Sequence, residues 1–385
     1  MSDDSPKPPP TPPLDPVGDA DSVFTSDSEA SPWATPAVEA APSLLSPAAV
    51  ERSRRALFVW FVILLSFGVG GLVLGQQELA LLVALSGIVI AAHAADFHPQ
   101  FEPFYRIVSF ALVGLCSALL VGLGVYLLND PTGPTGPVIP IITMVCAGVM
   151  LLTGIRPVAT ALARALFGVP GDSHSLRLAG RLTLFGFMVA VPGWETARSL
   201  FDQTEDLNEV FSSLTFGGGV LGYVVLALAS VGFLVRRDLR ATLERLGLTR
   251  PSPRALLLVI VGVPLLWGLN AVGEWAQHHW FPATWEADQH VNAAIASVLD
   301  RRGMVVLSLS AGIGEEITIR GALQPKLGLV LTSLFFAALH VQYSVFGMAM
   351  VCVFGLILGM IRQRSNTLVA MAVHAIYDLL ALLST

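Results

Sequence analysis

From Ala56 onward the chain is a succession of apolar stretches. At about 1.5 Å per helical residue, a run of this kind can cross a hydrocarbon layer roughly 30 Å thick. The stretches are 56–75, 79–95, 107–128, 138–155, 182–195, 216–235, 255–275, 303–323, 327–344, 346–361 and 367–383, eleven predicted crossings of which the fifth, tenth and eleventh are short. They are continuously apolar, whereas the strands of a membrane barrel alternate in hydrophobicity, so the expected spans are helices. Pro140, Pro192 and Pro264 mark expected kinks or helix starts. The expected fold class is therefore all-α: a polytopic helical membrane protein with a disordered N-terminal tail.

Composition supports this class. Of 385 residues, 54% are hydrophobic and 13% charged, and mean hydropathy is +0.69. A soluble domain carries about 25% charged residues, which excludes an ordinary water-soluble enzyme. The absence of a basic patch above the apolar background excludes a nucleic-acid partner. The net charge of -6 originates in residues 1–50, where eight acidic side chains face one basic one, Lys7. That segment also holds 11 of the 25 prolines, and it buries too little apolar surface to offset the entropy of ordering. Residues 1–50 are expected to be a disordered cytoplasmic tail. No basic region leads into an early apolar run, so they do not read as a secretory signal. Cys116, Cys146 and Cys352 lie in apolar runs without metal-ligand spacing and read as packing residues.

Positive charge sets the expected orientation. With a cytoplasmic N-terminus, eighteen basic residues fall in inside segments and three, Arg198, Arg301 and Arg302, fall outside. The expected location is a bacterial cytoplasmic membrane, N-terminus inside. The chain divides into a six-helix region at 56–235, a basic cytoplasmic linker at 236–254 and a five-helix core at 255–383. The first region shows few ionisable residues at membrane depth and its role is open, while the last carries nearly all of them.

An ionisable side chain inside a bilayer costs about 2.5–3.5 kcal/mol on insertion scales, so it usually has a partner and a function. Glu316 and Arg320, spaced i, i+4 with the acid first, lie on one helical face and predict a neutralised pair. Glu315 is five positions from Arg320, about 140° away at 100° per residue, and points elsewhere. A carboxyl group desolvated without a cation holds its proton more tightly, which suits proton transfer near neutral pH. Phe336 and His340 share a face of the next stretch, and His374 and Asp378 share a face of the last. Counted from the cytoplasmic ends, Glu315, His340, His374 and Asp378 lie at depths of roughly 16, 22, 10 and 16 Å, so one shared site is feasible. Glu and His around a water can activate it for attack on a carbonyl. A second His with an Asp can stabilise the oxyanion. No Ser or Cys nucleophile sits in an elbow, which favours direct attack by water. The same residues alone also fit a metal site or a proton relay, although HExxH is absent.

The ordered set EExxxR, FxxxH and HxxxN/D, here Glu315-Glu316-x-x-x-Arg320, Phe336-x-x-x-His340 and His374-x-x-x-Asp378, resembles the CPBP family of intramembrane proteases. This family comprises CAAX proteases and bacteriocin-processing enzymes, and is also called ABI. The resemblance covers roughly 250–383. It implies that Glu315 and His340 activate water, that His374 and Asp378 stabilise the oxyanion, and that Glu316, Arg320 and Phe336 support them. The substrate implied is a membrane-associated or lipidated peptide or protein at the lipid bilayer. A metal-free glutamate mechanism is implied, so no cofactor is assigned, although the family was long described as metal-dependent. Well-described prenyl-protein endopeptidases of the family have Asn at the last position, where this chain has Asp378. A carboxylate would repel an oxyanion, so Asp378 is expected to be protonated or to orient His374. The rival readings are a proton-coupled transporter and a catalytically idle immunity or scaffold protein of the same family. The lack of a matching ionisable set in the first half counts against the transporter.

Among weaker signals, Glu274, His278, His279 and His290 could hold a metal, but interleaved Trp275, Trp280 and Trp285 favour an interfacial aromatic belt. His93, His98 and His174 read as solvated. The arginines between Arg156 and Arg181 read as an inner loop near anionic headgroups. Gly355 and Gly359 predict a close helix contact, and Gly217 to Gly219 predict packing.

Overall fold

The computed structural model describes residues 47–129, 136–169, 172–203 and 213–384, without the side chains of 47–50, 52–53, 197–203 and 213–217. The tail expected to be disordered lies outside these residues, except that 47–50 open the first helix. Among the described residues the protein is all-α, with one isolated bridge between Phe233 and Arg237 and no strand.

Helices α1 (Pro47–Val73) and α2 (Gln77–Phe97) form a hairpin turned at Gly75, whose φ of 69° is a left-handed value that glycine adopts without a steric penalty. Next come α3 (Glu102–Leu128), α4 (Val138–Leu152), α5 (Arg156–Phe167), α6 (His174–Gln203) and α7 (Ser213–Ser230). The basic segment 236–254 is not only a linker. It contains the short helix α8 (Leu239–Leu246), capped by the Asp238 carboxylate accepting from the Ala241 N–H at 2.8 Å. The rest of the chain forms α9 (Pro253–Trp280), α10 (Pro282–Ser297), α11 (Arg301–Ser310), two π-helical turns at Ala311–Glu315 and Ile317–Leu323, α12 (Gln324–Leu327), α13 (Leu329–Ala338), α14 (Val345–Arg364) and α15 (Thr367–Ser384).

All eleven predicted stretches contain helix, but the count of eleven crossings is not confirmed. Among the described residues seven helices are long and apolar enough to cross a membrane, or eight if α4 and α5, bent by 107°, form one span. The predicted crossing 303–323 is helical throughout but passes from α to π geometry at Ala311, whereas 327–344 ends its helix at Ala338, with the ten-residue α13 giving about 15 Å of helix. Hydropathy counts apolar residues and does not register where the helical hydrogen bonding breaks. Irregular backbone at membrane depth is tolerated where it is buried in protein or lines a cavity, and the π-helical segment and the loop after α13 both contribute residues to one large cavity, which holds Glu315 and His340. The long helices carry apolar side chains outward, with Phe58 67%, Phe110 71% and Ile260 69% exposed. Such a surface is compatible with lipid and would be an aggregation hazard in water.

Contacts cross the division suggested at 236–254. Ala227 of α7 and Val231 just after it share a buried cluster with Leu246, Ile317, Ala322 and Met371. Phe187 of α6 meets Phe335 of α13 edge-on at 5.4 Å. Gly355 and Gly359 bring α14 close to α13, and Gly218 and Gly219 abut Gln76 and Glu78 of α2, as expected of small residues.

Candidate active site

Backbone geometry brings the glutamates to the last helix. The π turns widen the helix between Ala311 and Leu323, and such bulges cluster at functional sites. At Gly312 an added Cβ would lie 2.6–2.9 Å from Ala375 on α15, including its backbone N and Cα. Glycine alone allows this approach.

The expected pair forms. Arg320 Nε lies 3.3 Å from Glu316 Oε2, both side chains are fully buried, and the guanidinium sits 4.7 Å from the Phe336 ring centroid. The structure extends this pair in a way the spacing did not predict. Glu316 Oε1 also meets His374 Nδ1 at 3.1 Å, and His374 Nε2 lies 3.3 Å from Asp378 Oδ2. Arg320, Glu316, His374 and Asp378 thus form a chain of alternating base and acid. Phe336 packs against it with ring centroids 4.6 Å from His340 and 6.1 Å from His374.

His340 lies beyond the end of α13 rather than inside a crossing. Its Nδ1 meets the Phe336 carbonyl at 2.8 Å. A carbonyl can only accept, so Nδ1 carries the proton and Nε2 of the neutral ring keeps its lone pair. Glu315 is outside the paired chain, as its position predicts. Its Oε2 is buried without a hydrogen-bond partner in the protein, and it lies within electrostatic range of His340, His374 and Asp378. Glu315, His340, His374 and Asp378 all line one cavity of about 650 Å³. Glu274 lines the same cavity and accepts a 2.8 Å hydrogen bond from Asn270.

One supporting element has no sequence signature. The buried Asp288 of α10 accepts from the Ser344 N–H at 2.6 Å, the Ser344 hydroxyl at 2.7 Å and Gln277 Nε2 at 2.7 Å. This network ties α9 and α10 to the loop that carries His340. Ser344 before the apolar run of α14 is legible as a helix cap, but nothing local marks Asp288 as its partner. Asp288→Ala is expected to lower stability by about 3 kcal/mol, since hydrogen bonds to a charged group are lost and their donors stranded. Thermal unfolding in detergent measures this, and an unchanged unfolding temperature would remove the network from the account.

Several weaker expectations change. His93 and His98 are buried, not solvated, because helix packing covers their turn, and His93 Nε2 faces the Ser230 carbonyl at 3.3 Å. His174 is half-buried with its ring 4.9 Å from Tyr105. Arg177 and Arg181 are buried at the start of α6 rather than placed in a loop, and Glu195 is buried too, so the first region is richer in enclosed ionisable groups than composition suggested. His279 stacks on Trp275 at 5.7 Å and His278 meets Trp285 edge-on at 4.5 Å, in keeping with an aromatic belt. Among the described residues no set of three His, Cys, Asp or Glu side chains is placed to hold a metal ion. In the cavity both His374 nitrogens face carboxylates, so this donor set does not form a three-ligand site of the usual kind.

Residues 300–380 match the family described as type II CAAX prenyl endopeptidase Rce1-like. That range contains all three motifs, so the resemblance drawn from them is borne out there. The chain is also 28% identical over 158 residues, covering 40% of its length, to the Bacillus subtilis (strain 168) protein described as uncharacterized protein YpbD, of which the match spans 80%. No solved structure gives a significant match.

Proposed function

We propose that this protein is an intramembrane endopeptidase that hydrolyses a peptide bond of a membrane-associated or lipidated substrate with water activated by Glu315 and His340. The observation that carries this reading is the buried, unpaired oxygen of Glu315 on the same cavity as the His340 ring, whose Nε2 lone pair is left available. A water between them donates one hydrogen bond to each. Glu315 takes its proton as the oxygen attacks the scissile carbonyl, and the proton then passes to the leaving amine as the carbon–nitrogen bond breaks. His374 lines the cavity, and in this reading its Nε2–H, shared with Asp378, meets the developing oxyanion. Asp378 faces that nitrogen, which supports a role in orienting the ring over direct contact with the oxyanion. Arg320 and Glu316 hold the ring from behind through Nδ1.

The cavity does not favour a transporter, since the ionisable groups other than Glu315 and His340 are paired in place and belong to one end of the chain. The charge distribution supports a cytoplasmic N-terminus, and the similarity to a Bacillus subtilis protein suits a bacterial cytoplasmic membrane as the setting. The test of function is a comparison of peptide N-termini in membranes from cells carrying the wild type or Glu315→Gln. New N-termini are expected with the wild type alone. Identical sets from both, at equal protein levels, would refute peptidase activity.

A further inference from the structure

The six-helix region contains a second cavity, of about 280 Å³, between the start of α3, the bend joining α4 to α5 and the start of α6. Arg106, Arg156, Arg177 and Arg181 line it with His174, against one carboxylate, Glu102. Arg177 and Arg181 are 4% and 5% exposed.

Their partners are neutral. Arg177 Nη1 donates to the Asp172 backbone carbonyl at 2.6 Å and Nη2 to His174 Nδ1 at 2.9 Å. Arg181 donates from Nε and Nη2 to the Thr153 carbonyl at 2.9 and 2.7 Å, and from Nη1 to the Ser109 hydroxyl at 2.5 Å. Among the described residues neither forms an ion pair. The nearby Asp96 carboxylate is engaged by the His174 and Ser175 N–H groups and the Ser175 hydroxyl, at 2.5, 3.2 and 2.7 Å. A charge removed from water without a counter-charge is costly. Here Arg181 lies beside Arg177, for which Asp96 and Asp172 are the carboxylates in electrostatic range, with the exposed Arg106 and Arg156 at the rim. Arginine's fork of donors matches phosphate oxygens.

We propose that this cavity binds a phosphate-bearing anion, a class of ligand independent of the peptidase reading. Phe110 at the rim is apolar and largely exposed, so a lipid whose phosphate enters the cavity could lay an acyl chain beside it. Free phosphate offers the same oxygens without the chain. The bound phosphate supplies a counter-charge to Arg181, adds to the field of Asp96 and Asp172 at Arg177, and locks the bend between α4 and α5 against α3 and α6.

The test uses the full chain, purified, stripped of lipid and probed separately with phosphatidylglycerol in phosphatidylcholine nanodiscs and with inorganic phosphate in detergent. Thermal unfolding and retained lipid in native mass spectrometry are the readouts. Arg106→Ala with Arg156→Ala, both at the rim and outside the buried packing, keeps the test valid if Arg181 variants fail to fold. Phosphatidylglycerol is expected to stabilise the wild type, and the double variant to bind it about thirtyfold more weakly, from about fivefold per arginine near an anionic surface. Stabilisation of the wild type but not the variant by inorganic phosphate would also support the site and identify the free anion as its ligand. Equal binding by both proteins, or saturable binding of neither probe, would overturn it.

Discussion

Replacing Glu315 by Gln is expected to slow single-turnover cleavage about a thousandfold, within the range general base catalysis contributes, while leaving stability unchanged or slightly raised. The amide keeps the size of the carboxyl group but cannot accept the proton of the attacking water. Because Glu315 Oε2 has no hydrogen-bond partner in the protein, the folded state loses no bond there. Exchanging an unpaired buried carboxyl group for a neutral amide of the same size removes a group that can carry charge and does not destabilise as breaking a pair does. His340→Ala is expected to slow cleavage about a hundredfold or more, since the lone pair fixed by the Phe336 carbonyl disappears. The substrate for these rates is a peptide spanning a cleavage site found in the membranes. Rates normalised to folded protein that match the wild type would remove Glu315 from the chemistry.

Glu316→Ala is expected to act in the opposite way. It leaves Arg320 fully buried without its 3.3 Å partner and frees His374 Nδ1. Breaking a buried ion pair by removing one member costs about 3–5 kcal/mol, because the remaining charge is stranded. The variant should unfold at a markedly lower temperature or fail to accumulate in the membrane. A double replacement, Glu316→Leu with Arg320→Met, removes both charges and should recover much of the stability, since apolar substitution of a buried pair is often neutral or favourable. Cleavage should stay low in this double variant, because His374 loses the acceptor that orients it. Recovery of stability together with full activity would show that Glu316 only neutralises Arg320 and does not position His374.

These two glutamates are neighbours in the chain, and their separate fates are partly legible in its spacing. The i, i+4 relation of Glu316 and Arg320 places them on one face, and Glu315 necessarily lies off it. That reading is local and survives a change of helix type. The contact of Glu316 with His374, fifty-eight residues away, is not local. It depends on the π turns and on Gly312 meeting the α15 backbone, neither of which leaves a periodic trace. The same holds for Asp288 and Ser344, and for Arg181 with Thr153 and Ser109.

Long uninterrupted apolar runs exclude a water-exposed fold, because so much hydrocarbon surface must leave water and the backbone must satisfy its own hydrogen bonds in lipid. The chain alone therefore determined an all-α membrane protein, and its three short motifs singled out the ionisable residues, since each charge in an apolar run is costly. The tertiary structure decided where the apolar helices bend or end, that Glu316 also meets His374, and that Arg177 and Arg181 are enclosed. Spacing governs neighbours a few residues apart, whereas these outcomes depend on where distant segments meet and on where the helix breaks to let them meet.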